Sequence, residues 1–490
     1  MLASVDPRNA GPDVTVRQVL DEAARRAETE LAGHPEVERS IRSTIGRSYL
    51  ALGLLDEAAT HLARALDLAK TRYGEEHPET TAAMHDYGVL LRAMGRPADA
   101  EALHRRALAI DSDLFGDVSA QAARSMNDLA QVLYDQGRYD EGRPLYEQAF
   151  RIRAEHLGEK DVSFIGSLNN LARVRYTDGD YAEAERFQKE ALQLMTDLFG
   201  EGHPDTVGQM NNVAFLAMVR GKYAEAETMF REVVERYRNL HGESHPDIAR
   251  ALNNLGECVR RQGRHEDAAA IHREALAMRR ETLGDDHPMV AKSLNNLALV
   301  LTAMERYEEA IRLHRESLAI RRKRLGDQHP DVATSLNNWA FVLHKSGDDR
   351  EAVRRFREAL EIRRAAFGDT HPQVANTQMN LARCLVALGE LDEVESLCRA
   401  ALRIQLEKLG EDHPETAATR QVLGRVLTQS GSYDDAESAL LKALETLRTR
   451  FADDSGQIRG VVEDLVALYD AWGRPERADH YRGLLPNTGL

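Results

Sequence analysis

Residues 287–326 read HPMVAKSLNNLALVLTAMERYEEAIRLHRESLAIRRKRLG. After His287-Pro288, the spacing of Leu294, Leu297, Ala298 and Val300 predicts an amphipathic helix. Pro suits its first turn, where a missing N–H costs nothing. A break at Met304-Glu305-Arg306 separates a second periodic run carrying Ala310, Leu313, Leu318 and Ile320. Gly326 ends it, as expected of a residue free to take φ > 0. Arg321, Arg322, Lys323 and Arg324 fill the last turn, where positive charge suits the helix dipole. This basic run reads as a solvated helix end rather than a phosphate site.

The hairpin recurs. His203-Pro204, His245-Pro246, His287-Pro288, His329-Pro330, His371-Pro372 and His413-Pro414 are each 42 residues apart. His77-Pro78 and His34-Pro35 extend the phase upstream with one residue of slippage between them. Ser119-Ala120 and Asp161-Val162 keep the phase without the dipeptide. A fixed period of this size predicts a solenoid, each unit burying against its neighbours what it cannot bury alone.

Columns of small residues say why the helices pack. Gly46, Gly88, Ala130, Ala172, Ala214, Gly256, Ala298, Ala340, Ala382 and Gly424 share one first-helix position. On the second helix, Ala58, Ala100, Ala184, Ala226, Ala268, Ala310, Ala352 and Ala436 share another. Small side chains let helix axes approach, and large ones there would overpack. Gly also marks the turn inside nearly every hairpin, and Glu305 breaks that column.

These columns resemble the tetratricopeptide repeat, with Gly or Ala in the first helix and two Ala in the second. The 42-residue period with LNNLA and His-Pro resembles the subgroup found in kinesin light chains and many bacterial proteins. The resemblance implies an all-α, right-handed superhelical solenoid of antiparallel helix pairs. At the front, LASVDPRNAGPDVTVRQVLDEAARRAETEL followed by TIGRSYLALGLLDEAATHLARAL is similar to the segment joining kinase and repeats in some bacterial serine/threonine kinases. That second resemblance implies the sensor or docking region of a signalling protein whose catalytic part is absent from this chain.

Expected boundaries are a tail over 1–12, a capping helix over 13–33, ten hairpins over 34–453, and a short hairpin with a frayed tail over 454–490. No low-complexity linker divides the array, so one domain is expected. Net charge is −16, with 64 basic against 80 acidic side chains, which argues against sequence-independent nucleic-acid binding. Cys258, Cys384 and Cys398 are too few for a disulfide framework, so a reduced, cytoplasmic setting is expected. No run of 18 apolar residues suggests membrane insertion.

Catalytic motifs are missing: no Gly-rich phosphate loop, H-E-x-x-H, G-x-S-x-G or kinase catalytic loop occurs. The chain therefore reads as a non-enzyme without a cofactor. The His-Pro histidines, one per repeat, stand a layer apart, too far to share one metal. They read as turn residues that pack against or cap the following helix. His272 and His314 share a second-helix column with Phe230 and Phe356 and read as packing residues.

The asparagines need a separate reason, because Asn is a mediocre helix former. Asn127, Asn169, Asn211, Asn253, Asn295 and Asn337 form one column; Asn170, Asn212, Asn254, Asn296, Asn338 and Asn380 form the next, preceded by Asp86 and Asp128. An amide both donates and accepts, so a column can bridge neighbouring helices or hold the backbone of an extended peptide. The first column reads as mostly structural. The second stands where clamp asparagines sit in peptide-binding relatives, and the resemblance implies that it faces a ligand. Around it vary Arg250, Lys292, Arg173, Phe215, Phe341, Arg383, Arg261 and Lys345, a basic face with aromatics inside an acidic protein. The expected partner is a protein presenting an extended, acidic segment with an apolar anchor.

Overall fold

In a computed structural model the chain is described over residues 16–31, 33–156, 161–449 and 456–485. The expected tail over 1–12, the hairpin ends at Gly158 and Asp453, and the terminal Pro486-Asn487-Thr488-Gly489 lie outside those residues. Among the described residues there are 23 helices in consecutive packed pairs and no strand.

Each hairpin follows from its punctuation. In the unit quoted above, the first helix spans Pro288–Ala303 and the second Tyr307–Leu325. His287 stands at the N-cap and its Nδ1 accepts from the N–H of Met289 at 3.1 Å. That satisfies one of the orphan donors every helix start exposes. His77, His203, His245, His329, His371 and His413 do the same; His34 does not. Ser119 and Asp161, which replace the histidine, keep the capping role, and their oxygens accept from Ala122 N at 3.1 Å and Ser163 N at 2.7 Å. The rings also pack back on the preceding helix, with Tyr73–His77, Phe199–His203 and Phe367–His371 centroids 4.6, 4.6 and 4.3 Å apart.

At the other end Gly326 takes φ 82° and its N–H reaches Arg322 O at 3.0 Å, closing the helix. The short turn inside the hairpin needs positive φ as well. Glu305 adopts it at φ 59°, alone among the described non-glycine residues.

Packing rests on the small columns. Ala58, Ala100, Ala226, Ala268, Ala310 and Ala352 are fully buried. At one crossing the first helix yields further: a Cβ at Gly256 would sit 2.7 Å from His272 Nε2. Between hairpins, a buried arginine (Arg153, Arg279, Arg321 or Arg363) ties four of the second helices to the next first helix. Arg279 donates to Met289 O at 2.9 Å and Ser293 Oγ at 2.8 Å, and Arg363 donates to Gln373 O at 3.0 Å. Arg321 belongs to this set, donating to Asp331 O at 2.7 Å while 5% exposed. The expectation that the whole 321–324 run is a solvated helix end is therefore wrong at its first member. Arg321 faces the next hairpin and spans ten residues to reach that hairpin's first turn.

The chain divides into two compact units, residues 1–331 and 332–490. Within the first, distant hairpins touch. The N–H of Asp331 occupies His329 Nδ1 at 3.0 Å, so Nε2 carries the proton and donates to Ala93 O at 3.0 Å. A cavity of about 620 Å³ lies beside His287, lined also by Leu52, Gly53, Pro288, Arg17 and Arg324. In the second unit the array continues through Pro372–Leu388, Val394–Lys408, Pro414–Gln429, Tyr433–Arg448, Gly456–Ala471 and Pro475–Arg482. No helix among the described residues is long and apolar enough to cross a membrane. The three cysteines are free and buried.

Candidate peptide-binding groove

The two asparagine columns meet across repeats. Asn254 Nδ2 donates to Asn211 Oδ1 at 3.0 Å, Asn296 to Asn253 at 3.1 Å, and Asn380 to Asn337 at 3.3 Å. Four first-column members are buried, Asn211, Asn253, Asn295 and Asn337 being 4–8% exposed, while Asn127 and Asn169 are half-buried. Second-column members are half-buried. Asn170 stands 3.2 Å from the Asn127 amide, and Asn212 approaches Gln209 Oε1 at 3.5 Å. The Asn338 side chain makes no hydrogen bond among the described residues. An amide that spends one N–H on its neighbour keeps an oxygen and a second N–H at the face.

The cations divide into two groups. Arg173 is committed to a tyrosine cage: it donates to Tyr146 Oη at 2.6 Å and lies 5.0 Å over the Tyr134 ring. Arg250 is held by Asp247 at 3.0 Å and Tyr237 at 3.1 Å, and Arg261 by Glu257 at 2.8 Å. Lys292, Lys345 and Arg383 have no carboxylate partner among the described residues. Lys292 is exposed yet crowded by protein, and burial with Arg279 nearby pushes its pKa down. Lys345 stands 5.7 Å over the Phe341 ring. Phe215 is 37% exposed, against Tyr176 at 6.1 Å between centroids.

In the second unit these features converge. Asn338, Phe341 and Lys345 stand at i, i+3 and i+7 on Pro330–Lys345 and share one face. The neighbouring first helices carry Asn380 and Arg383, then Val422 and Arg425. Between them lies a cavity of about 410 Å³ lined by His344, Arg383, Val386, Ala387, Ala418, Gln421, Val422 and Arg425. Arg425 is neutralised by Asp464 at 2.9 Å. Arg383 is not; it is exposed yet crowded by protein, and that crowding pushes its pKa below the usual arginine range. A guanidinium open to solvent beside Val386 and Val422 can take a carboxylate bidentately next to an apolar side chain. The larger cavity of the first unit offers less, because its cations Arg17 and Arg324 already face Glu57 and Asp286. Sequence columns found Arg383, with His344 alongside the same face, but not Val386 or Val422 as its companions; no column marks a wall made of three different helices.

A profile described as tetratricopeptide repeat matches residues 38–113, 89–155, 121–197, 206–281, 260–323, 289–365, 331–405 and 373–449. It starts after most of the segment likened to a kinase–repeat junction, and that likeness is not among what the matches show. No curated protein matched the sequence. Among solved structures, a putative kinesin light chain from Podosopora anserina with nearly identical TPR-like repeats shares 25% identity, covering 42% of this chain and 98% of that one (TM-score 0.38). BtubC (BKLC) from P. vanneervenii shares 26% identity over 48% of this chain and 92% of that one (TM-score 0.40). A Rap protein complexed with Competence and Sporulation Factor shares 13% identity over 76% and 99% (TM-score 0.50), a likeness of fold.

Proposed function

The chain belongs to the tetratricopeptide repeat family, and from that premise we propose that it is a non-catalytic interaction scaffold whose first-helix face binds an extended acidic peptide segment. The observation that carries this reading is Arg383, an arginine without a counter-charge lining a cavity of about 410 Å³ with Val386 and Val422. Arg383 is exposed and no carboxylate among the described residues satisfies it, so its guanidinium is open to a ligand that supplies the opposite charge. Lys345 over Phe341 extends the basic face by two helical turns, and the Asn338 and Asn380 amides offer contacts to a peptide backbone. The Rap protein of similar fold is complexed with Competence and Sporulation Factor, which is consistent with partner capture by this architecture.

The experiment is a peptide array of extended 10–15-residue segments, Asp or Glu placed beside Leu or Phe, each paired with its Asn/Gln counterpart. Preferential capture of the acidic members, weakening as salt rises, supports the reading. Equal capture of both sets contradicts it.

A further inference from the structure

The hairpin that carries His85 and His104 departs from the polar pattern of the later repeats. In the units around Asn253 and Asn295, a second-helix histidine turns its Nδ1 to the first-column amide: His272 to Asn253 Oδ1 at 3.3 Å and His314 to Asn295 Oδ1 at 2.8 Å. The second-column amide of the next unit joins them, as Asn296 does with Asn253. In the hairpin of Pro78–Ala93 and Pro97–Phe115 the same three places hold His85, His104 and, from the next unit, Asp128. An amide and an amide have become an imidazole and a carboxylate.

The substitution leaves a nitrogen without a partner. His104 is 1% exposed, and its Nδ1 makes no hydrogen bond. Its other edge is closed, since a Cβ at Gly88 would lie 2.4 Å from Nε2. Asp128 Oδ2 lies 2.7 Å from His85 Nδ1. One nitrogen from each histidine and one Asp128 oxygen all lie within 4.8 Å of one another. Behind them, His85 Nε2 faces Ser125 Oγ at 3.0 Å and Asp111 Oδ2 at 3.5 Å, and Ser125 donates to Asp111 at 2.6 Å. A carboxylate behind the far nitrogen of a histidine is what orients a metal-bound imidazole and sets its tautomer.

We propose that His85, His104 and Asp128 form a binding site for a zinc-class divalent transition ion, held between two successive repeats. Two imidazole nitrogens and a carboxylate oxygen are ligands such an ion accepts, with bonds of about 2.0–2.2 Å and neighbouring donors roughly 3.3 Å apart. The His85–Asp128 pair opens slightly and His104 closes in to meet that spacing. The partly exposed Asp128 side leaves room for water as a fourth ligand; its side chain is 29% exposed. Burial holds the His104 pKa down at about 4, so its lone pair is available at neutral pH. Two other clusters are weaker. His245 Nδ1 in the group His241–His245–Asp247 already caps a helix, and the buried Cys384 thiol beside His344 and Asp349 has its pKa pushed up to about 12.

The competing occupant is a proton, with His85 charged between Asp111 and Asp128. Cobalt(II), titrated into the full chain freed of any affinity tag and followed by its visible d–d absorption, separates the two. The site predicts one cobalt per chain, displaced by zinc. His85→Asn with Asp128→Asn rebuilds the amide pair used by other units, and His104→Phe installs the side chain that Phe230 and Phe356 bring to the same column. Each variant is expected to keep the parent's helical circular dichroism and to weaken cobalt binding about 100-fold, and zinc should raise the melting temperature of the parent only. Absence of a cobalt spectrum in the parent, or binding unchanged in folded variants, overturns the metal site and leaves the protonated bridge.

Discussion

Nδ2 of Asn254 donates to Oδ1 of Asn211, 43 residues earlier, across 3.0 Å. The same step links Asn296 to Asn253 and Asn380 to Asn337. The second column is thus a seam between repeats before it is anything else. Asn254→Ala with Asn296→Ala should cost about 0.5–1.5 kcal/mol per lost bond, read as a lower melting temperature by circular dichroism. An unchanged melt would mean that these amides contribute nothing to the seam.

The arginine tie between hairpins makes a sharper contrast. Arg279→Ala removes the donors to Met289 O and Ser293 Oγ inside the stack and should cost about 1.5–3 kcal/mol. Lys323→Ala, in the basic run of the next hairpin with its side chain 64% exposed, should stay within about 0.5 kcal/mol. Urea unfolding of the two variants side by side checks the ordering, and equal effects would contradict it.

Glu305 occupies the left-handed region that glycine holds in the equivalent turns, at φ 59°. Glu305→Gly relieves a clash of about 1–2 kcal/mol, partly offset by the entropy glycine loses on folding. A net gain of roughly 0.5–1 kcal/mol is expected in the same unfolding assay. A loss would show that the glutamate side chain contributes more than its backbone costs.

Acid should loosen the stack through its buried histidines. Burial lowers the pKa of His272 to about 4 and of His314 to about 3, while an unfolded histidine titrates near 6.5. Below pH about 6.5 the unfolded chain takes up protons that these folded sites refuse, so stability falls as pH drops and is flat above that range. His85 works the other way: burial opposes its charge, but Asp111 and Asp128 raise its pKa, and its contribution fades as pH rises. His61, His104, His245 and His287 are depressed by burial as well, and together these groups outweigh the one raised histidine. The melting temperature should therefore drop between pH 7.5 and 5.0, and His272→Phe should drop less. An identical drop in both would contradict the assignment.

The repeat phase, the small columns and the capping histidines were legible because each depends on local spacing along one chain. Ser119 and Asp161 look like losses of the His-Pro signal in sequence, yet all three side chains present an acceptor to a helix start, so the physical role survives the change. The buried arginine column was hidden inside a basic run, since Arg321 and Lys323 differ in the face they present and not in type. The asparagine columns were visible, but their pairing across 43 residues depends on how far one helix is offset from the next. Arg383 was visible as a variable cation, whereas its lack of a counter-charge and its place among Val386, Val422 and His344 depend on three helices at once.

The central claim is that Arg383 receives a carboxylate from an extended partner. The most direct test is a charge swap, followed by fluorescence anisotropy. An acidic peptide selected on the wild-type chain is measured against wild type and Arg383→Glu, and then again with its key acidic residue changed to Lys. The account predicts that Arg383→Glu weakens the acidic peptide at least tenfold, about 1.4 kcal/mol, and that the Lys-substituted peptide recovers affinity for the Glu variant only. Equal affinity of the acidic peptide for wild type and a folded Arg383→Glu chain would contradict it.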